Sequence, residues 1–280
     1  RLFLLCPMGP AKNRSLVEEH GIPVLEDPSY AIEAIAAVTA IGRGFKDGIR
    51  PKPITKCTST IFPGPINETD AKKTLASIGI LSPMEILATT RDDAIAAAQT
   101  IAGSVALKIV SADIQHKSDI GGVELSLTGD DAIGEAFDRI IRKSRMAHPE
   151  ATLDGVLVSE MVSDGVEAIL GVQNDPLFGP VIIFGLGGVF AEIIHDVSLR
   201  LAPFDEETAH QMIREINGFS ILAGARGTAA VDLNALATSL SHLSIFAAAN
   251  ADTIESIDIN PLRIRTTGII ALDALIITRP

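Results

Sequence analysis

The chain has 280 residues, 47% of them hydrophobic and 21% charged, which is enough apolar material to bury a sizeable core and rules out a disordered or fibrous chain. Asp and Glu outnumber Lys and Arg 35 to 23, for a net charge of -12, and aromatic residues make up 4%, with no Trp and one Tyr. That balance excludes the basic, aromatic-bearing surface expected of a nucleic-acid or anionic-membrane binder, while leaving room for phosphate in a single cleft.

The length fits two domains. Cys6 and Cys57 are the only cysteines, too few for a disulfide framework or a thiolate metal cage, so a reduced cytoplasmic setting is expected. No apolar run is long enough to span a bilayer, and no signal peptide is expected. The chain opens at Arg1 and passes directly into the buried-strand pattern Leu2 to Cys6, as a piece cut from something longer would. A short helix around Ser15 to Glu19, a second strand at Gly21 to Leu25 and an Ala-rich helix from Pro28 to about Val38 follow. This is the end of a parallel α/β unit, too short for a core of its own, with its missing strands expected upstream.

From about Gly42 to Pro65 the texture becomes Gly, Pro, Lys and Thr without apolar periodicity, which predicts a linker. The expected division is residues 1–45, a linker at 46–65, and a second domain at 66–280. In that domain Asn67-Glu68-Thr69-Asp70 reads as a helix start, Ile80 to Ala88 as extended and Arg91 to Ala102 as an amphipathic helix. Val105 to Val110 and Val123 to Leu127 read as strands around a polar loop, before a long helix from Asp130 to Met146. Strands without intervening helices are then predicted at Gly155 to Val162, Glu167 to Val172, Val181 to Gly185 and Phe190 to Ile194. Helices at Asp205 to Ile216 and Asp232 to Ala249 precede a closing hairpin of Ile254 to Ile264 and Ile269 to Ile277. A small α+β lobe followed by a larger lobe with an antiparallel sheet puts a cleft between them, a favoured place for a ligand.

Several residues stand out as candidates for chemistry. If Thr266-Thr267 is a two-residue loop, Arg265 pairs with Gly268 and Asn260 faces Asp273, so that Asp258, Asn260 and Asp273 gather three oxygen-bearing side chains on one face. Such hard ligands, supplemented by phosphate and water, suit Mg²⁺; the plainer reading is the polar face of an ordinary sheet. Lys108 is a lone cation in an apolar strand, which calls either for an anion such as a nucleotide phosphate or for an edge strand guarded against aggregation. The loop from Asp113 ends in Gly121-Gly122, a pair that suits an anion-binding nest, and carries His116, an imidazole suited to attack on phosphorus or simply solvent-facing. The loop lacks Walker spacing, and Phe184 to Gly188 does not satisfy the dinucleotide fingerprint. Arg200 is a candidate phosphate contact, and Glu160 ends a strand that could border an adenine pocket.

Together, His116-Lys117-Ser118-Asp119-Ile120-Gly121-Gly122-Val123, Phe184-Gly185-Leu186-Gly187-Gly188, Ser198-Leu199-Arg200-Leu201-Ala202-Pro203 and Asp258-Ile259-Asn260-Pro261-Leu262 resemble, in order and spacing, the nucleotide-binding half of ADP-forming acyl-CoA synthetases, relatives of succinyl-CoA synthetase. The resemblance covers about Ile66 to Pro280. It implies an α/β architecture of the α+β ATP-grasp type, with two lobes and an antiparallel sheet in the larger, preceded by the tail of a flavodoxin-like ligase domain. It further implies an acid–thiol ligase using Mg²⁺ and ATP/ADP. Lys108, Gly121 and Gly122 would meet the nucleotide phosphates, Glu160 and Val162 would border the adenine, and Asn260 and Asp273 would hold Mg²⁺. His116 would carry phosphate, oriented or activated by Asp258, which stands where succinyl-CoA synthetase has glutamate, with Arg200 neutralising charge. The implied partners are the upstream CoA-binding and ligase domains, in the same chain or another subunit, with homo-oligomers left open. Similar segments fused to protein acetyltransferases, with the synthetase chemistry lost, give the alternative of a regulatory module.

Overall fold

The structure, a computed structural model, describes residues 5–6, 14–25, 27–47, 61, 64, 66–114, 117–188, 196–227 and 229–279. It divides into two compact units, Arg1–Pro53 and Ile54–Pro280. In the first unit, Leu5 and Val24 form a parallel bridge, with Leu5 N donating to Pro23 O and Leu25 N to Leu5 O, both at 3.0 Å. Helix α1 (Arg14–Glu19) lies between them in sequence, the expected strand–helix–strand order; Leu2 to Leu4 lie outside the described residues. Helix α2 (Pro28–Asp47) continues well past Val38 and through Gly42, where the linker was expected to begin. Gly42 and Gly44 each cost the helix only about 1 kcal/mol, too little to end one so rich in Ala and Ile.

The second unit contains two sheets. In the smaller lobe, β1 (Glu85–Ala88), β2 (Val105–Val110), β3 (Val123–Leu127) and β4 (Gly155–Glu160) pair antiparallel in the order β1–β4–β2–β3. Helix α4 (Arg91–Ile101) starts in a capping box: Asp93 N donates to Thr90 Oγ1, and Thr90 N donates back to Asp93 Oδ2. Together with α5 (Asp130–Ala147), it covers one face of the sheet, over Leu107, Ile109, Val156 and Val158. Strand β2 is paired on both sides, which overturns the edge-strand reading of Lys108: the lysine points from an interior strand, on the face away from these helices.

The larger lobe is a six-stranded antiparallel sheet ordered β10–β8–β5–β6–β7, with β9 alongside β8. Its strands are β5 (Val166–Asp175), β6 (Gly179–Leu186), β7 (Val197–Leu201), β8 (Ile254–Ile264), β9 (Ile269–Ala271) and β10 (Leu275–Thr278). Helices α6 (Glu206–Glu215), α7 (Phe219–Leu222) and α8 (Leu233–Ala249) supply residues to the same core as the inward face of this sheet. Asp232 caps α8 by accepting from Ala235 N, and with its second oxygen takes Gly268 N from the closing hairpin. The hairpin has the expected register: Ile264 pairs with Ile269, Leu262 with Ala271 and, beyond a break at residues 272–274, Asp258 with Leu275. Strand β7 was not anticipated, and Phe190 to Ile194 lie outside the described residues. Helix α3 (Glu68–Ala76) precedes the small lobe in sequence but buries Ala71 and Leu75 in the core of the large one.

Candidate functional site

The site begins with an anomaly in α3. Its buried positions are Glu68, Ala71, Lys72 and Leu75, the i, i+3, i+4, i+7 stripe that a core-facing helix reserves for apolar residues. Two of the four are charged, and Glu68 and Lys72 are only 5% and 3% exposed. Burial of such groups is tolerable only with partners. Lys72 Nζ donates to Glu68 Oε1 and Glu85 Oε1, each at 2.6 Å, and to the Leu272 carbonyl at 2.8 Å. Ser159 Oγ completes Glu85 at 3.0 Å. Lys108 Nζ donates to the same Leu272 carbonyl at 2.5 Å and lies 3.6 Å from Glu68 Oε1. Lys117 Nζ binds Glu68 Oε2 and stands 3.6 Å from Asp273 Oδ1.

One carboxylate therefore serves three ammonium groups. Burial alone would push the Glu68 carboxyl up, but the charges of Lys108, Lys72 and Lys117, with the Lys117 hydrogen bond, hold it at about 2. Burial would likewise lower Lys72; the charges and hydrogen bonds of Glu68 and Glu85 prevail and raise it above its ordinary value. The anion that meets Lys108 in this structure is thus a protein carboxylate.

Beside this network lies a cleft of about 430 Å³ whose walls include Glu68, Ser111, Lys117, Asp258, Asn260 and Asp273. Ile257 and Ile259 point into the large core, so Asp258 and Asn260 project from the opposite face of β8 into the cleft. The break at 272–274 brings Asp273 beside them, its Oδ1 accepting from Ala274 N at 2.8 Å. Partial burial in the cleft, then the neighbouring Asp273 charge, push the Asp258 carboxyl above its ordinary value. Among the described residues no group of three His, Cys, Asp or Glu forms a metal cage. Two carboxylates whose charges oppose each other, with an amide oxygen, nevertheless fit Mg²⁺, which takes few protein ligands and leaves positions for phosphate and water.

The other expected site residues are distributed unevenly. His116 lies outside the described residues, next to the cleft-lining Lys117. Gly121 and Gly122 do not form the expected nest of free donors. Gly121 N donates to Ser118 O and Gly122 N to Lys117 O, so both amides are spent inside the turn. The pair is needed for shape: Gly121 has φ +67°, and a Cβ on Gly122 would stand 2.7 Å from Ile109 Cγ2. Glu160 ends β4 exposed, and Val162 is buried just beyond it; neither lines the cleft. Arg200 is not brought to the cleft either. It pairs with Ile182, which faces the large core, so its side chain lies on the helix-covered face, where it binds Glu215 of α6. Glu68, Lys72 and Lys117 were missed as site residues. The charged pair on the buried stripe of α3 was a readable signal for the first two, whereas nothing in the loop sequence singles out Lys117.

Two lobes of α+β structure flank a polar cleft with lysines over one wall and oxygen-bearing side chains on the other, a lining suited to a phosphate-bearing ligand. The chain belongs to the ATP-grasp domain family, whose model matches residues 64–278. It is 42% identical over 213 residues to the beta subunit of acetate–CoA ligase (ADP-forming) I from Pyrococcus furiosus, covering 76% of this chain and 91% of that subunit. It is 32% identical to acetate–CoA ligase (ADP-forming) I from Archaeoglobus fulgidus over 94% of this chain, which spans 40% of that longer protein. Relatives thus include separate subunits and fused forms. Among solved structures, acetyl-coenzyme A synthetase 1 of Ca. Korarchaeum cryptofilum, bound to coenzyme A and Ca-AMPCP, superposes with TM-score 0.73 at 38% identity, covering 76% of this chain and 93% of that one. The same protein with coenzyme A and Mg-AMPPCP, its phosphohistidine segment pointing towards the nucleotide-binding site, gives TM-score 0.65 at 37% identity, with 76% and 92% covered. Among the described residues, no helix is long and apolar enough to cross a membrane.

Proposed function

We propose that this chain is the nucleotide-binding, phosphoryl-transfer half of an ADP-forming acyl-CoA synthetase, which interconverts acyl-CoA, ADP and phosphate with acid, CoA and ATP. The CoA-binding and ligase domains are carried upstream in the same chain or on a partner subunit. The observation that carries the reading is the cleft itself, where the buried lysine cluster on Glu68 faces Asp258, Asn260 and Asp273. Lys108 and Lys117 attract the phosphates, and Glu160 with Val162, at the end of β4 and outside the walls of this cleft, borders the adenine. Asn260 and Asp273 hold Mg²⁺, which when bound neutralises phosphate charge and fixes phosphate geometry. Asp258 orients the imidazole of His116. In the ATP-consuming direction a ring nitrogen of His116 attacks the γ-phosphorus; the N–P bond forms, the bond from phosphorus to the β–γ bridging oxygen breaks, and ADP leaves.

Calorimetry with ADP and ATP, with and without Mg²⁺, tests the binding half of this reading. Nucleotide affinity should depend on Mg²⁺ in the unaltered chain and lose that dependence in Asn260→Ala/Asp273→Ala; dependence that survives the double change removes the metal assignment. With the complete enzyme and γ-labelled ATP, acid-labile, base-stable label should appear and vanish in His116→Ala, while ADP affinity stays within roughly tenfold, about 1.4 kcal/mol. Label that persists places the acceptor elsewhere.

A further inference from the structure

Among the described residues, Lys117 is the ammonium group that ion-pairs with both the buried Glu68 carboxylate and Asp273. Its side chain is only 10% exposed, whereas that of Asp273 is 34% exposed and open to the cleft. Its backbone is fixed too, since Lys117 O accepts from Gly122 N at 2.8 Å, and Gly122 O accepts from Ile109 N of β2. The ammonium is thus held at the margin of the oxygen site by a strand of the small lobe. It is hydrogen-bonded to a carboxylate that two other lysines share, so its remaining attraction is directed at Asp273.

We propose that Lys117 is a built-in counter-cation of the metal site: its ammonium competes with a divalent cation for Asp273, and Glu68 sets the strength of that competition by holding the ammonium back. The inference rests on reading Asp273 as a metal ligand. It makes Lys117 a positioning residue with a defined sign. Two cations held at one carboxylate repel each other, so a Lys117 ammonium beside Asp273 opposes the binding of a metal there. By linkage, binding of the metal weakens the hold of Asp273 on Lys117 to the same degree. Glu68 acts in the opposite sense. Neutralising it removes the charge that holds the ammonium away, and Lys117 then moves wholly onto Asp273.

The experiment is a titration of the 280-residue chain with Mn²⁺ alone, free Mn²⁺ being read by electron paramagnetic resonance. Lys117→Met should bind Mn²⁺ at least about fivefold more tightly, the lower end of ordinary coupling between sites, and Lys117→Arg should restore the weaker binding. Glu68→Gln should weaken binding, and the Glu68→Gln/Lys117→Met pair should not, because the lysine through which Glu68 acts is gone. A merely structural role would instead weaken binding in every variant. Mn²⁺ binding that Asp273→Asn leaves unaltered, or that no form of the chain displays, overturns the metal reading on which the inference stands. Binding that depends on Asp273 but is unchanged or weakened by Lys117→Met overturns the counter-cation alone.

Discussion

At the scale of single residues, the chemistry of the cleft is governed by Glu68, whose charge is maintained by its neighbours against its own burial. The sign of its contribution to stability follows from the direction of its shift. A carboxyl held at about 2 in the folded chain and near 4.5 when unfolded stabilises the fold fully above the higher value. It loses that contribution as pH falls towards the lower one. Unfolding by denaturant should therefore show the unaltered chain losing about 2 kcal/mol more than Glu68→Gln between roughly pH 5 and pH 3; parallel pH profiles would exclude the role. Lys72 acts at the other end, its contribution intact below its ordinary value and lost only as pH rises through the raised one. Of this network Lys108 alone stood out in the sequence, because a cation in an uninterrupted apolar strand breaks a local pattern. Glu68 reads in the sequence as part of the helix start Asn67 to Asp70, and Lys72 was not singled out. Helix starts favour acidic residues anyway, and that local explanation concealed the non-local one.

At the scale of elements, Asp258, Asn260 and Asp273 were legible because a hairpin converts sequence spacing into register, and the two-residue turn fixed that register. Arg200 was misjudged because one residue of pleat separates the cleft face of a sheet from its covered face, and β7 itself had not been recognised. The glycine pair was legible as special but not for its reason. Gly122 lets the loop close onto β2, where a Cβ would meet Ile109 Cγ2 at 2.7 Å and Lys117 O at 2.9 Å. Gly122→Ala is expected to cost about 1–3 kcal/mol, since neither the strand interior nor the backbone carbonyl yields readily. Gly103, with nothing within 4 Å of the corresponding position, is the control, and Gly103→Ala should change stability by less than about 1 kcal/mol. Thermal denaturation of the two variants separates the outcomes, and equal melting temperatures would contradict the packing argument.

At the scale of the whole molecule, the two-lobed cleft was legible from the switch between a helix-rich and a strand-rich texture. The boundary of the leading segment was drawn too early because glycines in α2 resembled the start of a linker. The described part of the first unit buries only Val24 and Ala31, whereas each lobe of the second has a continuous apolar core. So little burial does not offset the entropy of ordering the chain. A peptide of residues 1–42 should accordingly show no cooperative thermal transition by circular dichroism, while residues 54–280 should unfold in one. A sharp transition in the peptide would refute this.

The break in the closing hairpin frees the carbonyl of Leu272, and Lys72 from α3 and Lys108 from β2 both fasten onto it. Every residue has a main-chain oxygen, whatever its side chain. A side-chain change at position 272 that preserves the backbone therefore leaves in place the acceptor that clasps helix, small sheet and large sheet. A scan that replaces side chains one at a time would score this junction as dispensable from one side and essential from the other.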